Sequence, residues 1–174
     1  MDDGGAGRLV AHGPARLTVP AGPHRGGTFT AMARAMSVDE WRRFVMEGTR
    51  TGKLATVRAD GSPNVVPIWF VLDEDGAFVF NTGAESAKGK AMRRDPRVAL
   101  LVEDEQPPYQ FVLARGEVTL STDVEAMLPW ASRIGGRYMG VERAEEFGRR
   151  NAVPGELLVR LLPTSVLAQA GIAD

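Results

Sequence analysis

The chain has 174 residues, 44% of them hydrophobic and 25% charged, with a formal net charge of -1, which suits one globular domain with a real core. That balance lacks the basic excess of a nucleic-acid binder, and no like-charge block or long apolar run points to a membrane. There is no cysteine, which excludes disulfides and thiolate metal sites, and the acidic start MDDGGAGRL lacks the apolar core of a signal peptide. A cytoplasmic protein with a small-molecule partner is expected.

Residues 1–35 are rich in Gly, Pro, Ala and Arg without sustained period, apart from a strand-like stretch at residues 15–19. A loose extension is predicted there, followed by a single domain over residues 36–174. Both histidines, His12 and His24, fall in the extension, so the remainder holds neither imidazole nor thiol. His- and Cys-based catalysis and the common zinc sites are thereby excluded from the folded part, no metal is expected, and demanding chemistry there calls for a bound cofactor.

Order is predicted to begin at Ser37, where Ser37 and Glu40 have capping-box spacing and Val38, Trp41, Phe44 and Val45 share one helical face. Strands follow at residues 53–59, 63–72 and 77–82, separated by turns at Asp60-Gly61 and residues 73–76. Pro63 and Pro67 remove two donors from the second of these, which fits an edge or a bulge facing a ligand or another subunit. The third strand breaks at Gly83, and a short helix over residues 87–94 begins with Ser86, Lys88 and Lys90 nearby. Unpaired amides, a hydroxyl and two ammonium groups then meet at one point, the composition of a phosphate cradle. An ordinary N-cap on a solvated helix is the plain alternative. The chain's only lysines are Lys53, Lys88 and Lys90, so the pairing stands out. Asp95-Pro96 ends the helix, strands follow at residues 98–102 and 111–120, Thr122 and Glu125 repeat the capping-box spacing before a helix toward Gly135, and a second helix covers residues 141–150. A last strand spans residues 157–162. Six mostly antiparallel strands with short peripheral helices imply a mainly β small barrel, with an open α+β sandwich as the alternative.

Four segments, in order, resemble the pyridoxamine-phosphate-oxidase-like flavin and deazaflavin oxidoreductases: LATVRADGSPNVVPIWF, NTGAESAKGKAMRRDPRVAL, PPYQFVLARGEVTL, and RYMGVERAEEF with LLVRLLPTSVL. The first and last look most like the branch that uses coenzyme F420, a deazaflavin. The resemblance covers residues 37–167 and implies an antiparallel split β-barrel of the FMN-binding kind, assembled as a homodimer with the cofactor in a cleft between subunits. By position, Val65, Val66, Pro67, Ile68, Trp69 and Phe70 resemble the strand beside the cofactor ring; Asn81, Thr82, Ser86, Ala87, Lys88 and Lys90 its phosphate and ribityl contacts. Gln110 resembles a ring contact across the dimer, though a strand-end amide is equally consistent. Trp69 reads either as a flat wall for the ring or as barrel core. Arg133, Arg137 and Tyr138 resemble a lid or groove, where the arginines would take the acidic tail of the deazaflavin; a solvated helix end is the alternative. The pattern departs from true pyridoxamine phosphate oxidases at Val65, Phe70 and Ala87, where the family carries cations. Vitamin B6 chemistry and tight FMN binding are therefore disfavoured. The expectation is an F420-dependent oxidoreductase that passes a hydride to a small conjugated acceptor. An FMN-binding oxidoreductase and a non-catalytic flavin-binding protein are the alternatives.

Overall fold

Ser37 caps the first helix as its spacing predicts. The computed structural model describes residues 33–173, and in it the Ser37 hydroxyl accepts from the Glu40 amide while the Glu40 carboxylate accepts from Ser37 N–H in return, opening α1 (Val38–Met46). Arg34, 2.8 Å from Glu40, together with the Ser37 amide holds that carboxyl down at about 2. Trp41, Phe44 and Val45 bury the inner face of the helix. The strand-like stretch at residues 15–19 and both histidines lie outside the described residues. Within the predicted extension, β1 (Arg34–Ala35) already pairs with the last strand.

The remaining strands are β2 (Gly52–Val57), β3 (Pro63–Ile68), β4 (Val71–Leu72), β5 (Phe78–Gly83), β6 (Arg97–Asp104), β7 (Gln110–Ser121), β8 (Glu156–Leu161) and β9 (Ser165–Ala170). All pairings are antiparallel, in the order β3-β2-β6-β7-β8-β5-β4, with β9 between β7 and β1. The twelve-residue β7 carries the curl: Gln110 to Glu117 pair with β6, Phe111 to Arg115 also pair with β9, and Val118 to Ser121 turn to β8. This is the mainly β split barrel the sequence implied, with β3 on an edge. At an edge the missing N–H groups of Pro63 and Pro67 are tolerated.

Among the described residues, nine strands replace the predicted six. The run at residues 63–72 breaks at Trp69 and Phe70, because Phe70 turns into the core and leaves β4 a two-residue remnant. Strand β9 was not foreseen, since Ser165, Val166 and Leu167 are exposed in succession and lack the alternation that marks a half-buried strand. The helix predicted from Thr122 is α3 (Val124–Met139), and its cap is Asp123, whose carboxylate accepts from the amides of both Glu125 and Ala126 at 3.0 Å. It runs through Gly135 because that glycine is a contact and not a stop: a Cβ there would lie 2.3 Å from Phe147 Cβ on α4 (Ala144–Asn151). No helix among the described residues is long and apolar enough to cross a membrane.

Two apolar clusters hold the sheet. Leu54, Phe70, Phe78, Phe80, Leu100 and Leu161, all fully buried, fill the barrel interior, each worth about 1.5–3 kcal/mol of transfer free energy. On the opposite face of β5 and β8, Val79 and Leu158 pack under Met127, Ala131 and Ile134 of α3. The functional side chains emerge where this second layer ends.

Candidate functional site

Strand alternation sets the site. Phe78, Phe80 and Thr82 of β5 are buried, while Asn81 and Gly83, on the alternate parity shared with Val79, reach the margin of the α3 layer. Beyond Gly83 the chain turns into α2 (Ala87–Arg94), capped by Ser86, whose hydroxyl accepts from the Gly89 amide at 3.1 Å and shares a hydrogen bond with Thr82 Oγ1 at 3.1 Å. The turn is tight only because residue 89 is glycine: a Cβ there would come within 2.4 Å of the Gly83 carbonyl oxygen. This docking brings the first turn of α2, with Lys88, against the end of β5.

A cavity of about 290 Å³ opens there. Pro67, Ile68 and Trp69 form one wall, Asn81 and Lys88 the strand-to-helix corner, and Ile134, Asn151 and Glu156 the side under α3 and α4. Trp69 is 38% exposed and stacks on Tyr138, rings 4.9 Å apart and 3° from parallel. Tyr138 is itself fixed: its hydroxyl donates to the Arg50 carbonyl at 2.8 Å and accepts from Phe70 N–H at 3.3 Å. Burial raises its pKa, against the opposing pull of Arg137 and of the Phe70 amide.

The charges are unevenly satisfied. Lys88 has no ion pair among the described residues, whereas Lys90 is 3.2 Å from Glu85 on the exposed side of α2. Burial raises the Glu156 pKa, partly offset by Lys88, and its carboxylate has neither a hydrogen bond nor an ion pair from the described residues. Both carboxamide atoms of Asn81 are buried without a partner. An unpaired buried polar group costs about 1–3 kcal/mol, so the Asn81 carboxamide can hydrogen-bond a polar group placed in this corner.

Of the residues predicted for the site, Pro67, Ile68, Trp69, Asn81 and Lys88 come together around this cavity. Thr82 and Ser86 stand behind it as the hydroxyl pair that sets the cap. Ala87 is exposed at the start of α2. Val65, on the same face of β3 as Pro67 but further along the strand, is 61% exposed and does not line the cavity, and Val66 packs on the barrel core. Phe70 is fully buried, with its N–H and carbonyl taken by Tyr138 and Arg137. Gln110 opens β7 and lines separate surface hollows.

The residues of the predicted arginine groove are differently engaged. Arg137 donates to the carbonyls of Val45 (2.7 Å), Phe70 (2.8 Å) and Gly48 (3.1 Å) and lies over the Phe70 ring. Its guanidinium is consumed in joining α1, the β3–β4 junction and α3. Burial holds its pKa below the usual arginine range. Arg133 stays exposed, over the Trp130 ring and donating to the Leu72 carbonyl at 3.3 Å.

Asn151 and Glu156 were missed by sequence reasoning. Neither sits in a motif; Glu156 joins the site because β8 pairs with β5 so that it faces Gly83, a register invisible before the sheet order is known.

Comparison with known proteins gives a consistent picture. The pyridoxamine 5′-phosphate oxidase family matches over residues 37–167. A pyridoxine/pyridoxamine 5′-phosphate oxidase of Azorhizobium caulinodans is 34% identical over 119 residues, 66% of this chain and 56% of the relative. This chain spans about half the length of such curated relatives. Among solved structures, a conserved hypothetical protein of Mycobacterium tuberculosis superposes with a TM-score of 0.67 at 28% identity, over 76% of this chain and 84% of that one. An F420 reductase shares the fold with a TM-score of 0.56 at 24% identity, over 71% and 94% of the two chains.

Proposed function

Because the chain belongs to the pyridoxamine 5′-phosphate oxidase family, we propose that it is an oxidoreductase that binds a flavin-type cofactor, a deazaflavin of the F420 kind first and FMN second, and reduces a small conjugated organic acceptor. The observation that carries this reading is the Asn81 carboxamide, buried with donor and acceptor both unpaired, beside an ion-pair-free Lys88 and the exposed Trp69. The residues fit such a group: Lys88 and the α2 amides suit its phosphate, Asn81 its polar hydroxyl or carbonyl groups, and Trp69, braced by Tyr138, its flat apolar face. The bound cofactor supplies hydride chemistry. The protein's part is to orient and to exclude water. The Tyr138 hydroxyl, held by the Arg50 carbonyl and the Phe70 amide, braces Trp69.

The deazaflavin is favoured because the positions where true pyridoxamine phosphate oxidases carry cations hold Val65, Phe70 and Ala87. These leave Lys88 as the single cation among the described residues on the cavity wall. The purified protein is expected to quench the fluorescence of both cofactors on titration, with the deazaflavin binding more tightly. Tighter FMN binding would transfer the assignment to an FMN oxidoreductase, and absence of binding by either would refute the site.

The family reading also calls for a homodimer. Strand β3 is an unpaired edge among the described residues, and Val57 of β2 and Val65 of β3 are exposed beside it, apolar side chains that a second copy would cover. Light scattering should return twice the 18.8 kDa chain mass. A monomer that binds cofactor undiminished would count against a shared cleft.

A further inference from the structure

An anion cradle should not contain an unpaired carboxylate, and this one does. Glu156 opens β8 opposite Gly83, and its Oε1 is 3.4 Å from where a Cβ on that glycine would stand. It lines the same cavity as Asn81 and Lys88. The charged group that faces it is Lys88 from α2; β5 contributes the neutral Asn81, α4 the neutral Asn151 and α3 the apolar Ile134. Lys90 and Glu85 are paired to each other outside. The cavity wall therefore carries one formal positive and one formal negative charge, and with Glu156 ionised the two cancel.

We propose that Glu156 is a specificity residue that selects a singly charged phosphodiester over a doubly charged phosphomonoester at the Lys88 corner. This rests on the reading of the cavity as the cofactor site and deepens it. A monoester carries a charge of roughly -1.5 to -2 at neutral pH, with its second ionisation near pH 6. A diester carries -1 whatever the pH. Repulsion from the carboxylate scales with the ligand's charge, so Glu156 penalises the monoester about twice as much. The monoester binds well only when a proton is taken up, on the phosphate or on Glu156. Burial has already raised the Glu156 pKa, and a bound anion raises it further. FMN ends in a monoester; a deazaflavin joined to a tail through its phosphate is a diester, and the same carboxylate that rejects the first tolerates the second.

The test compares riboflavin, FMN and riboflavin 4′,5′-cyclic phosphate, a singly charged diester with the same ring, by fluorescence quenching against the parent, Glu156→Gln and Glu156→Ala, at about pH 5.5 and about pH 8. Glu156→Gln is expected to tighten FMN roughly tenfold at the higher pH and the cyclic diester only about threefold, and to flatten the pH dependence of FMN affinity beyond what phosphate ionisation explains. In the parent, FMN affinity should rise as pH falls, and calorimetry in buffers of different ionisation enthalpy should report proton uptake in excess of that of the variant. Glu156→Ala covers the case in which the amide does not fold. Equal effects on both esters, or none, with Lys88→Ala still weakening FMN, overturn the selectivity while leaving the site intact. Failure of all three ligands to bind any of the proteins overturns the site, and the selectivity with it.

Discussion

Replacing Arg137 by alanine is expected to lower stability by about 3 kcal/mol and the melting temperature by roughly 10 °C. The guanidinium donates to the carbonyls of Val45, Gly48 and Phe70 and caps the Phe70 ring. Charged hydrogen bonds contribute about 1.5–3 kcal/mol each when made, but these share one half-buried group, so their sum is discounted. What the truncation leaves behind matters more: carbonyls at the end of α1 and at the β3–β4 break that lose their donor. Arg137→Lys should recover little, because an ammonium is one compact donor centre and cannot span several separated acceptors as a planar fork does. Thermal or urea unfolding is the measurement. An unchanged midpoint combined with lost deazaflavin affinity would return Arg137 to the tail-binding role that its place in SRIGGRYMG implies.

Arg137 also illustrates where sequence reading stops. The fold was largely legible, because the Ser37 cap, the Asp60-Gly61 turn, the prolines of β3 and the Gly83–Ser86 break each specify backbone locally. Those signals survive in the structure with named hydrogen bonds. The corner of the candidate site was legible for the same reason: Asn81, Ser86 and Lys88 lie within eight residues, so one strand end and one helix start determine their neighbourhood. Glu156 and Asn151 were not, since each reaches the cavity through a strand or helix placed by long-range pairing. A surface arginine and a structural one have the same spelling. Arg133 and Arg137 are one helical turn apart, and only the packing of α3 against α1 and the β3–β4 junction sends one to solvent and the other to backbone carbonyls. Strand β9 was hidden differently: Ser165, Val166 and Leu167 are exposed in succession, so the alternation that marks a half-buried strand is missing from its first half.

Lys88→Ala is expected to weaken cofactor binding by about ten- to a hundredfold, the equivalent of roughly 1.5–3 kcal/mol for a charge-assisted contact, while Lys90→Ala should change it by no more than about twofold. The two lysines are indistinguishable in sequence, one residue apart on either side of Gly89. The structure separates them. Lys90 points to the exposed Glu85, 3.2 Å away, and its loss removes a solvent-screened pair. Lys88 lines the cavity beside the unpartnered Asn81 carboxamide and supplies its one cation among the described residues. Its removal also strips Glu156 of the neighbouring charge that offsets burial, so the carboxyl pKa should climb further and the affinity of the variant should fall more steeply with rising pH than that of the parent. Titration of FMN into both single variants, with circular dichroism to show retained fold, measures this. Equal losses for the two lysines would mean that diffuse charge on α2 attracts the ligand. A loss at Lys90 alone would move the anion to the outer face of the helix and leave the cavity without its anchor.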